Sequence, residues 1–491
     1  MRLWVLPLAI ALGSSAWAAP SYDILLSVDA DGTSLPGPFT VNNEDVIAFD
    51  ASGAEPLGTA GLYRNGDLFL DTSLFNSVSS NIDGLDYIER DITLNFQPPT
   101  NPNNPPGGFV PAGSVLVSFD VNGVALPRPS GVLTNLFDDE DIAVFIPTTP
   151  GDLSAGKWYY FLDGADTGVG ISTGPEGDID AFAFVERTVT RGGVTFEMGD
   201  LLLSFEGVNP GPSLNGRPED VFLFEPTSYG VTSAGTIGSN PIFRGSFEGF
   251  TTPSPNEDIE GIEFVDQDCE IGGVALTAGD LLLVTAAATA SIGSPEDIQP
   301  ANQDVFRFSP VQYGTLANTF KVAGSFSYLL DGSVAAMGLS SSVVDAIAFA
   351  PSPAFDSSQV TAVDANGGDL MPGDVISYSL ILANDEARRA TDVDVQEAIP
   401  GDTENLGNIS GVLPGENFST TTQLDLRGLT VGASASREIT WEVALSLSAP
   451  QAVPISMNVQ IGPAAEGGQG TVQTSNNLFT IPAELSVFTA D

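Results

Sequence analysis

The chain has 491 residues, 42% of them hydrophobic, with 63 Asp and Glu against 15 Lys and Arg and a formal charge of −48. So acidic a surface repels nucleic acid and anionic lipid and attracts cations, while the apolar share is too large for a disordered acidic tail. No histidine occurs, which removes Ser-His-Asp and Cys-His catalysis, His-ligated zinc and imidazole acid–base chemistry.

Met1-Arg2, the apolar stretch Leu3 to Leu12 and the small-residue site Ala16-Trp17-Ala18 read as a secretory signal peptide over residues 1–18. The apolar run is too short to cross a bilayer as a helix, and no later stretch approaches the ~20 apolar residues such a span needs. The expected location is secreted, extracellular or at the cell surface, with the periplasm as an alternative. Cys269 is the single cysteine, so an internal disulfide is ruled out and the thiol is expected to be inert.

From residue 21 to 351 one block recurs four times. Each copy opens with an apolar run, Ile24-Leu25-Leu26-Ser27, Val115-Leu116-Val117-Ser118, Leu201-Leu202-Leu203-Ser204 and Leu281-Leu282-Leu283-Val284, at spacings of 91, 86 and 80 residues. An acidic pair and alternating apolar residues follow, at Glu44-Asp45, Glu140-Asp141, Glu219-Asp220 and Gln303-Asp304. A third anchor closes each copy: Asn81-Ile82-Asp83, Asp178-Ile179-Asp180, Asp258-Ile259-Glu260 and Val344-Asp345. The local period is two, so these are strands, and Gly, Pro, Asn and Ser clusters between them break any helix. Gly107-Gly108, Gly192-Gly193 and Gly272-Gly273 mark hairpins before the next copy.

About four strands per unit, each unit burying its apolar face only against its neighbours, predict an all-β, four-repeat β-propeller-like domain. An open β-solenoid or a chain of small sandwiches is the alternative. In the propeller reading the third strand, such as Lys157-Trp158-Tyr159-Tyr160-Phe161, is taken as innermost. The chain's first and last half-units, the latter at Tyr328 to Ala350, then pair to close the ring and remove sheet edges. The Pro- and Asn-rich stretch Pro98 to Pro111 is expected to be a surface loop.

The repeated acids carry two readings. Clustered carboxylates at strand ends with few cations nearby offer oxygen ligands to a hard cation, so Asp83, Asp180, Glu260 and Asp345 are candidate calcium ligands facing the ring. Asp29-Ala30-Asp31-Gly32, Asp120-Val121-Asn122-Gly123 and Asp163-Gly164-Ala165-Asp166 resemble fragments of calcium loops without the full twelve-residue pattern. The plainer reading is that an Asp at a strand start closes a turn by accepting backbone N–H groups, and it is favoured for the acidic pairs.

No nucleophile elbow, phosphate-binding Gly-rich loop or dinucleotide fingerprint is present, and the lysines are two, Lys157 and Lys321. Paired carboxylates for glycoside hydrolysis would arise by chance in so acidic a chain. Strand alternation puts Trp158 and Tyr160 on one face and Tyr159 and Phe161 on the other, which suits packing between sheets better than sugar stacking.

Beyond residue 355 the pattern changes. Val360-Thr361-Ala362-Val363-Asp364, the run Met371-Pro372-Gly373-Asp374 through Tyr378 to Asn384, Ala390-Thr391-Asp392-Val393-Asp394-Val395 and Ile399-Pro400 resemble the bacterial "conserved repeat domain". That uncharacterised immunoglobulin-like family is common in secreted and surface proteins. The resemblance implies that residues 355–491 form a seven-stranded Ig-like β-sandwich, a spacer or adhesive module without catalysis. No lysine follows Lys321, so a Lys-Asn isopeptide crosslink is excluded. The N-terminal repeats are similar to Asp-rich, propeller-like arrays of secreted bacterial proteins. The expected function is non-enzymatic binding or scaffolding of the adhesion type, with an extracellular protein or polysaccharide as partner and neither nucleic acid nor membrane insertion. The alternative is a calcium-dependent propeller hydrolase, phosphoesterase-like.

Overall fold

The computed structural model describes residues 22–29, 33–34, 40–43, 45–49, 68–71, 81–126 and 137–462, with 479–480. Within the long span 137–462 it leaves out 150–151, 167, 172–176, 212–213, 249, 251–257, 287–291, 294–297, 315–322, 333–338, 340–342, 356, 368–369, 387, 400–402, 406, 448–453 and 456–458. The expected signal peptide, Glu44, Asp31 and Lys321 lie outside the described residues.

Strands are the dominant regular structure of the described residues, and the helical segments among them are short. The first sheet holds β1 (Tyr22–Val28), β2 (Asp45–Phe49) and β3 (Leu68–Asp71). The second holds β4 (Ile82–Tyr87), β5 (Val115–Phe119), β6 (Ile142–Thr149) and β7 (Asp152–Leu162). The third is built from β8 (Ala181–Phe184), β9 (Leu201–Ser204), β10 (Asp220–Ser228) and β11 (Ala234–Ile237). The fourth is built from β12 (Ile259–Phe264), β13 (Leu281–Thr285), β14 (Val305–Gln312) and β15 (Ala323–Leu330). A further strand, β16 (Val344–Pro351), returns to the first sheet and pairs antiparallel with β1, Ile24 opposite Phe349. Every sheet is a four-stranded antiparallel meander at its heart, in the orders β16-β1-β2-β3, β4-β5-β6-β7, β8-β9-β10-β11 and β12-β13-β14-β15.

The Leu-Leu-Leu runs explain how the sheets pack. A strand with one wet face alternates, whereas a strand covered on both faces reads as continuous apolar sequence. Leu201 and Leu203 face a core shared with the second sheet, and Leu202 faces a core shared with the fourth. Leu25 joins the core between first and second sheets, while Ile24 and Leu26 join Leu282 and Val284 between fourth and first. Trp158 and Tyr160 pack into the core toward the first sheet, Tyr159 and Phe161 into the core toward the third, following the alternation read from sequence.

One expectation is corrected. The Lys157–Phe161 strand is not innermost: β7 lies at the sheet edge opposite β4. The strands that touch across sheets are those of the third anchor, β4 against β8, β8 against β12, β12 against β16 and β16 against β4. Alternation cannot separate them from their neighbours, because all four strands of a sheet obey the same period.

Two of the three expected Gly-Gly hairpins form, at Gly192-Gly193 and Gly272-Gly273, whereas Gly107-Gly108 lie in a short 3-10 turn at the end of the long connection between Ile92–Thr93 and Phe109–Val110. Gly192 and Gly193 join Val189–Arg191 to Val194–Phe196 with φ of 57° and 83°, a left-handed pair that glycine adopts without strain. Pro98–Pro111 docks on the second sheet through the Asn103 carbonyl, which accepts from Tyr160 N at 2.9 Å, and on the β10–β11 connection of the third through Asn104 Oδ1, which accepts from Val231 N at 2.9 Å.

The C-terminal part is a separate two-sheet unit. β17 (Gln359–Asp364), β18 (Val375–Ala383), β22 (Ser436–Leu445) and β20 (Thr403–Asn405) make one sheet in that order. β21 (Gln423–Val431), β19 (Ala390–Ala398) and β23 (Gln460–Gly462) make the other. Their apolar faces close on one core, where Trp441 stacks on Tyr378 with ring centroids 5.4 Å apart. Arg388 of this unit forms an ion pair with Asp23 of β1.

Candidate functional site

The aspartate of each acidic-pair motif closes a turn. Asp45, Asp141, Asp220 and Asp304 each accept, through Oδ2, the N–H of the residue three positions earlier, at 2.9, 3.0, 3.2 and 2.8 Å. Each returns its own N–H to that residue's carbonyl, so the pair of bonds clamps the turn entering the second strand. Asp141 and Asp220 also accept from Gly164 N and Gly245 N at 3.1 and 3.2 Å, tying in the last strand of the unit or the segment after it.

The third-anchor acids behave differently, and a backbone irregularity is the reason. Ile82 faces Phe119 and Gly84 faces Ser118, leaving Asp83 as an extra residue in the ladder. Glu260 and Asp345 are bypassed in the same way. In β8 the ladder starts at Ala181 opposite Ser204, and the next bond upstream runs from Glu206 N to the Asp178 carbonyl, bypassing Asp180. A bulge of this kind re-aims the side chain it carries. At the following position glycine or alanine stands in every copy; a Cβ on Gly84 would meet Phe182 Cδ1 at 2.5 Å, so the small residue lets the next strand close in.

Asp83, Asp180, Glu260 and Asp345 therefore lie at one end of the four touching strands, within electrostatic reach of one another. Asp178 and Asp258 stand beside them, two residues upstream, and Asp29, Asp120 and Glu206 flank the group from the neighbouring strands. Burial, reinforced by the surrounding like charges, pushes Asp83 and Asp180 well above the usual carboxylate range, Glu260 up to about 8 and Asp345 up to about 7. None of the ion pairs among the described residues involves these nine acids. Asn81 brings an amide to the group, its Nδ2 donating to Asp83 Oδ1 at 3.3 Å and also to Asp345. Asp178 Oδ1 and Asp180 Oδ2 are buried without a hydrogen-bond partner.

A donor set of oxygens alone, with two orphaned carboxylate atoms, fits a hard cation in chemical type. The fit is incomplete in geometry: among the described residues no three acidic or thiol groups are arranged to enclose a metal ion. The calcium-loop fragments Asp120-Val121-Asn122-Gly123 and Asp163-Gly164-Ala165-Asp166 are spent on turns, with Asn122 Nδ2 bonding Asp139 at 2.6 Å and Asp166 accepting Ser233 N at 2.6 Å.

The opposite end of the same strands holds a second cluster that sequence reasoning did not single out. Asp86 of β4 and Glu263 of β12 occupy matching positions, three residues beyond Asp83 and Glu260, where β8 and β16 carry Ala183 and Ala348. Two residues after each strand come Glu89, Glu186 and Asp266, with Pro351 closing β16. The triplets Tyr87-Ile88-Glu89, Phe184-Val185-Glu186 and Phe264-Val265-Asp266 were the available signal. Burial pushes Asp86 up to about 8 and Glu89 up to about 7. These groups, with Tyr22, Phe349 and Cys269, line a pocket. The Cys269 thiol is free and buried, and burial drives it upward in pKa, so it carries little thiolate.

Among the described residues no helix is long and apolar enough to cross a membrane. No family model matches the sequence and no curated protein is similar to it. Among solved structures, the chain is similar to chitinase ChiA74 from Bacillus thuringiensis, at 9% identity and TM-score 0.16 over 37% of this chain and 26% of that one. It is also similar to BcpA, the major pilin subunit of Bacillus cereus, at 8% identity and TM-score 0.18 over 38% of this chain and 51% of that one. A glycoside hydrolase family 43 arabinoxylan arabinofuranohydrolase from Bacillus subtilis matches at 11% identity and TM-score 0.24, over 87% of this chain and 92% of that one. The chain thus spans about a quarter of the chitinase and about half of the pilin. Likenesses at this level bring neither a fold family nor an activity to this chain.

Proposed function

We propose that the chain is a non-enzymatic binding or scaffold protein of the cell exterior. In this reading residues 21–351 are a four-bladed β-propeller and residues 355–491 an Ig-like module of the conserved-repeat type, which spaces or presents the propeller. Its partner is an extracellular protein or polysaccharide. The observation that carries the reading is the cycle of contacts among β4, β8, β12 and β16, with a core at each of the four seams between sheets. Such a cycle builds a rigid platform, and the sequence brings no histidine and two lysines with which to run a reaction.

Asp83, Asp180, Glu260 and Asp345 are read as a calcium-binding end of this platform, with Asp178 and Asp258 as supporting donors. A calcium ion bound only by the folded chain raises stability by RT ln(1 + [Ca]/Kd), about 2.7 kcal/mol at one hundred times Kd. Melting in calcium and in chelator tests it: the expected rise saturates with calcium and disappears in the Asp180→Asn, Glu260→Gln double variant. A melting temperature indifferent to calcium removes the ion from the reading.

The convergence of the same four acids at one end favours a second reading, a calcium-dependent hydrolase of phosphoesterase type. Phosphomonoesterase, phosphodiesterase and carboxylesterase assays with and without calcium separate the two. No turnover above buffer is expected; calcium-dependent turnover that Asp83→Asn abolishes would replace the scaffold by the hydrolase. Scarcity of cationic side chains to hold a phosphate speaks for the scaffold.

A further inference from the structure

Asp23 is an acid that belongs to neither cluster. It stands near the start of β1, opposite Ala350 of β16, and is 3% exposed. A carboxylate that deep must be held by donors. Its Oδ1 accepts Ser352 Oγ at 2.7 Å, from the residue that follows β16, and its Oδ2 accepts the Arg388 guanidinium of the C-terminal unit. One side chain thus ties β1 both to the exit of the strand that completes its sheet and to the other unit. Arg388 is delivered by a braced loop: Asn384 Nδ2 donates to the Arg388 carbonyl at 2.6 Å and to the Gly432 carbonyl at 3.1 Å, and Ser434 N donates to the Glu386 carbonyl at 2.7 Å. The connection between the units is bonded to this same loop, Asp385 N donating to the Ala354 carbonyl at 2.8 Å and Ser357 N to Asp385 Oδ2 at 2.9 Å. Phe355, soon after β16 ends at Pro351, is already buried in the C-terminal core. So short and so bonded a joint leaves the loop little freedom, and it sets Arg388 against β1 and within electrostatic reach of Tyr87 of β4.

We propose that the C-terminal unit is the lock on the β1–β16 pairing, its Arg388 guanidinium engaging Asp23 and so holding together the two strands that complete the first sheet. This gives the unit a task beyond spacing or presenting its neighbour, and it rests on the strand pairing itself, not on the scaffold or calcium readings. Asp23 meets Ser352 only while β1 lies against β16, so the site that Arg388 occupies is complete only in the paired state. Whatever binds the paired state and not the open one stabilises it. Removing one partner of a buried ion pair is strongly destabilising, because the charge left behind has lost its compensation. A second contact between the units, Arg389 with Asp152 of β7 at 3.3 Å, has side chains about a third exposed, where water and salt screen it. That contact reaches the second sheet and leaves the closing pair to Arg388.

Hydrogen–deuterium exchange of the full chain, read peptide by peptide, tests this. Arg388→Ala is expected to speed exchange of the β1 and β16 amides about tenfold or more, the factor carried by one charge-assisted hydrogen bond, while β9 and β10 keep the parent rate. Arg389→Ala leaves β1 and β16 at the parent rate. Asp23→Asn keeps an oxygen for Ser352 and loses the charge that holds Arg388; it speeds the same amides and serves if Arg388→Ala does not fold by circular dichroism. Added to Asp23→Asn, Arg388→Ala speeds them little further, because the two residues act through one contact. The proposal is overturned by unchanged exchange of β1 and β16 in the Arg388 and Asp23 variants, by a rise confined to the C-terminal unit, or by an equal rise in β9 and β10. Equal opening by Arg389→Ala, or full additivity in the double variant, also overturns it.

Discussion

Replacing Asp141 by alanine isolates what one turn clamp contributes. Its carboxylate is 4% exposed and takes two backbone donors, Asp138 N at 3.0 Å and Gly164 N at 3.1 Å. Alanine strands both. Asp138 is half-buried and its N–H can turn to water, whereas Gly164 is buried and its N–H keeps the full desolvation penalty. A buried unsatisfied donor costs about 1–3 kcal/mol and a partly rehydrated one less, so the expected loss is about 2–3 kcal/mol. Trp158 offers a local probe, since it packs 5.0 Å from Phe145 of β6, the strand Asp141 leads into. Urea denaturation followed by tryptophan emission in a Trp441→Phe background should therefore shift to lower urea with an unchanged slope. A loss below about 0.5 kcal/mol, the usual range for a surface substitution, would refute the view that the acidic pairs are held for their hydrogen bonds.

The remaining predictions concern charge, space and reactivity. Asp86, ordinarily near 3.8, is pushed up to about 8 by burial, so the folded chain holds its proton more tightly than the unfolded chain. The stability this lends is complete below about pH 4 and is lost as pH rises to about 8; Asp86→Asn, melted in chelator, should gain on the parent between pH 5 and 8, and a constant difference would contradict the burial argument. Gly164→Ala places a Cβ 2.1 Å from the Glu140 carbonyl and Gly332→Ala one 2.0 Å from the Gln303 carbonyl, both unyielding backbone. Each should cost more than Gly193→Ala, whose Cβ meets nothing within 4 Å and which pays only for φ of 83°, about 1 kcal/mol; equal thermal shifts would dismiss the steric account. Cys269 should resist an aromatic disulfide reagent in the native chain and react fully in denaturant; rapid native labelling would show that the thiol is not enclosed.

Much of the β architecture was legible because the apolar runs, the acidic pairs and the Gly-Gly turns recur at nearly constant spacing and each has a local cause. The innermost strand was not legible. Residues such as Asp180-Ala181-Phe182 and Lys157-Trp158-Tyr159 alternate alike, and only contacts between sheets tell the touching strand from the edge strand. The candidate residues Asp83, Asp180, Glu260 and Asp345 were found because they repeat, although the bulge that aims them leaves no mark in the pattern of apolar residues. Asp86 and Glu263 escaped for the converse reason. They appear in two copies and are alanine in the other two, so a search for what the copies share discards them.

The pairing of β1 with β16 joins residues more than three hundred positions apart, Tyr22 with Pro351. During synthesis the first strand emerges long before its partner, and the opening sheet stays one member short until the last repeat is delivered. The thermodynamic penalty of so long a closure grows only logarithmically, but the wait is a kinetic one. A chain truncated before Val344 would offer β1 as a bare template for the equivalent strand of another molecule, so partial products should associate more readily than the chain that carries β16.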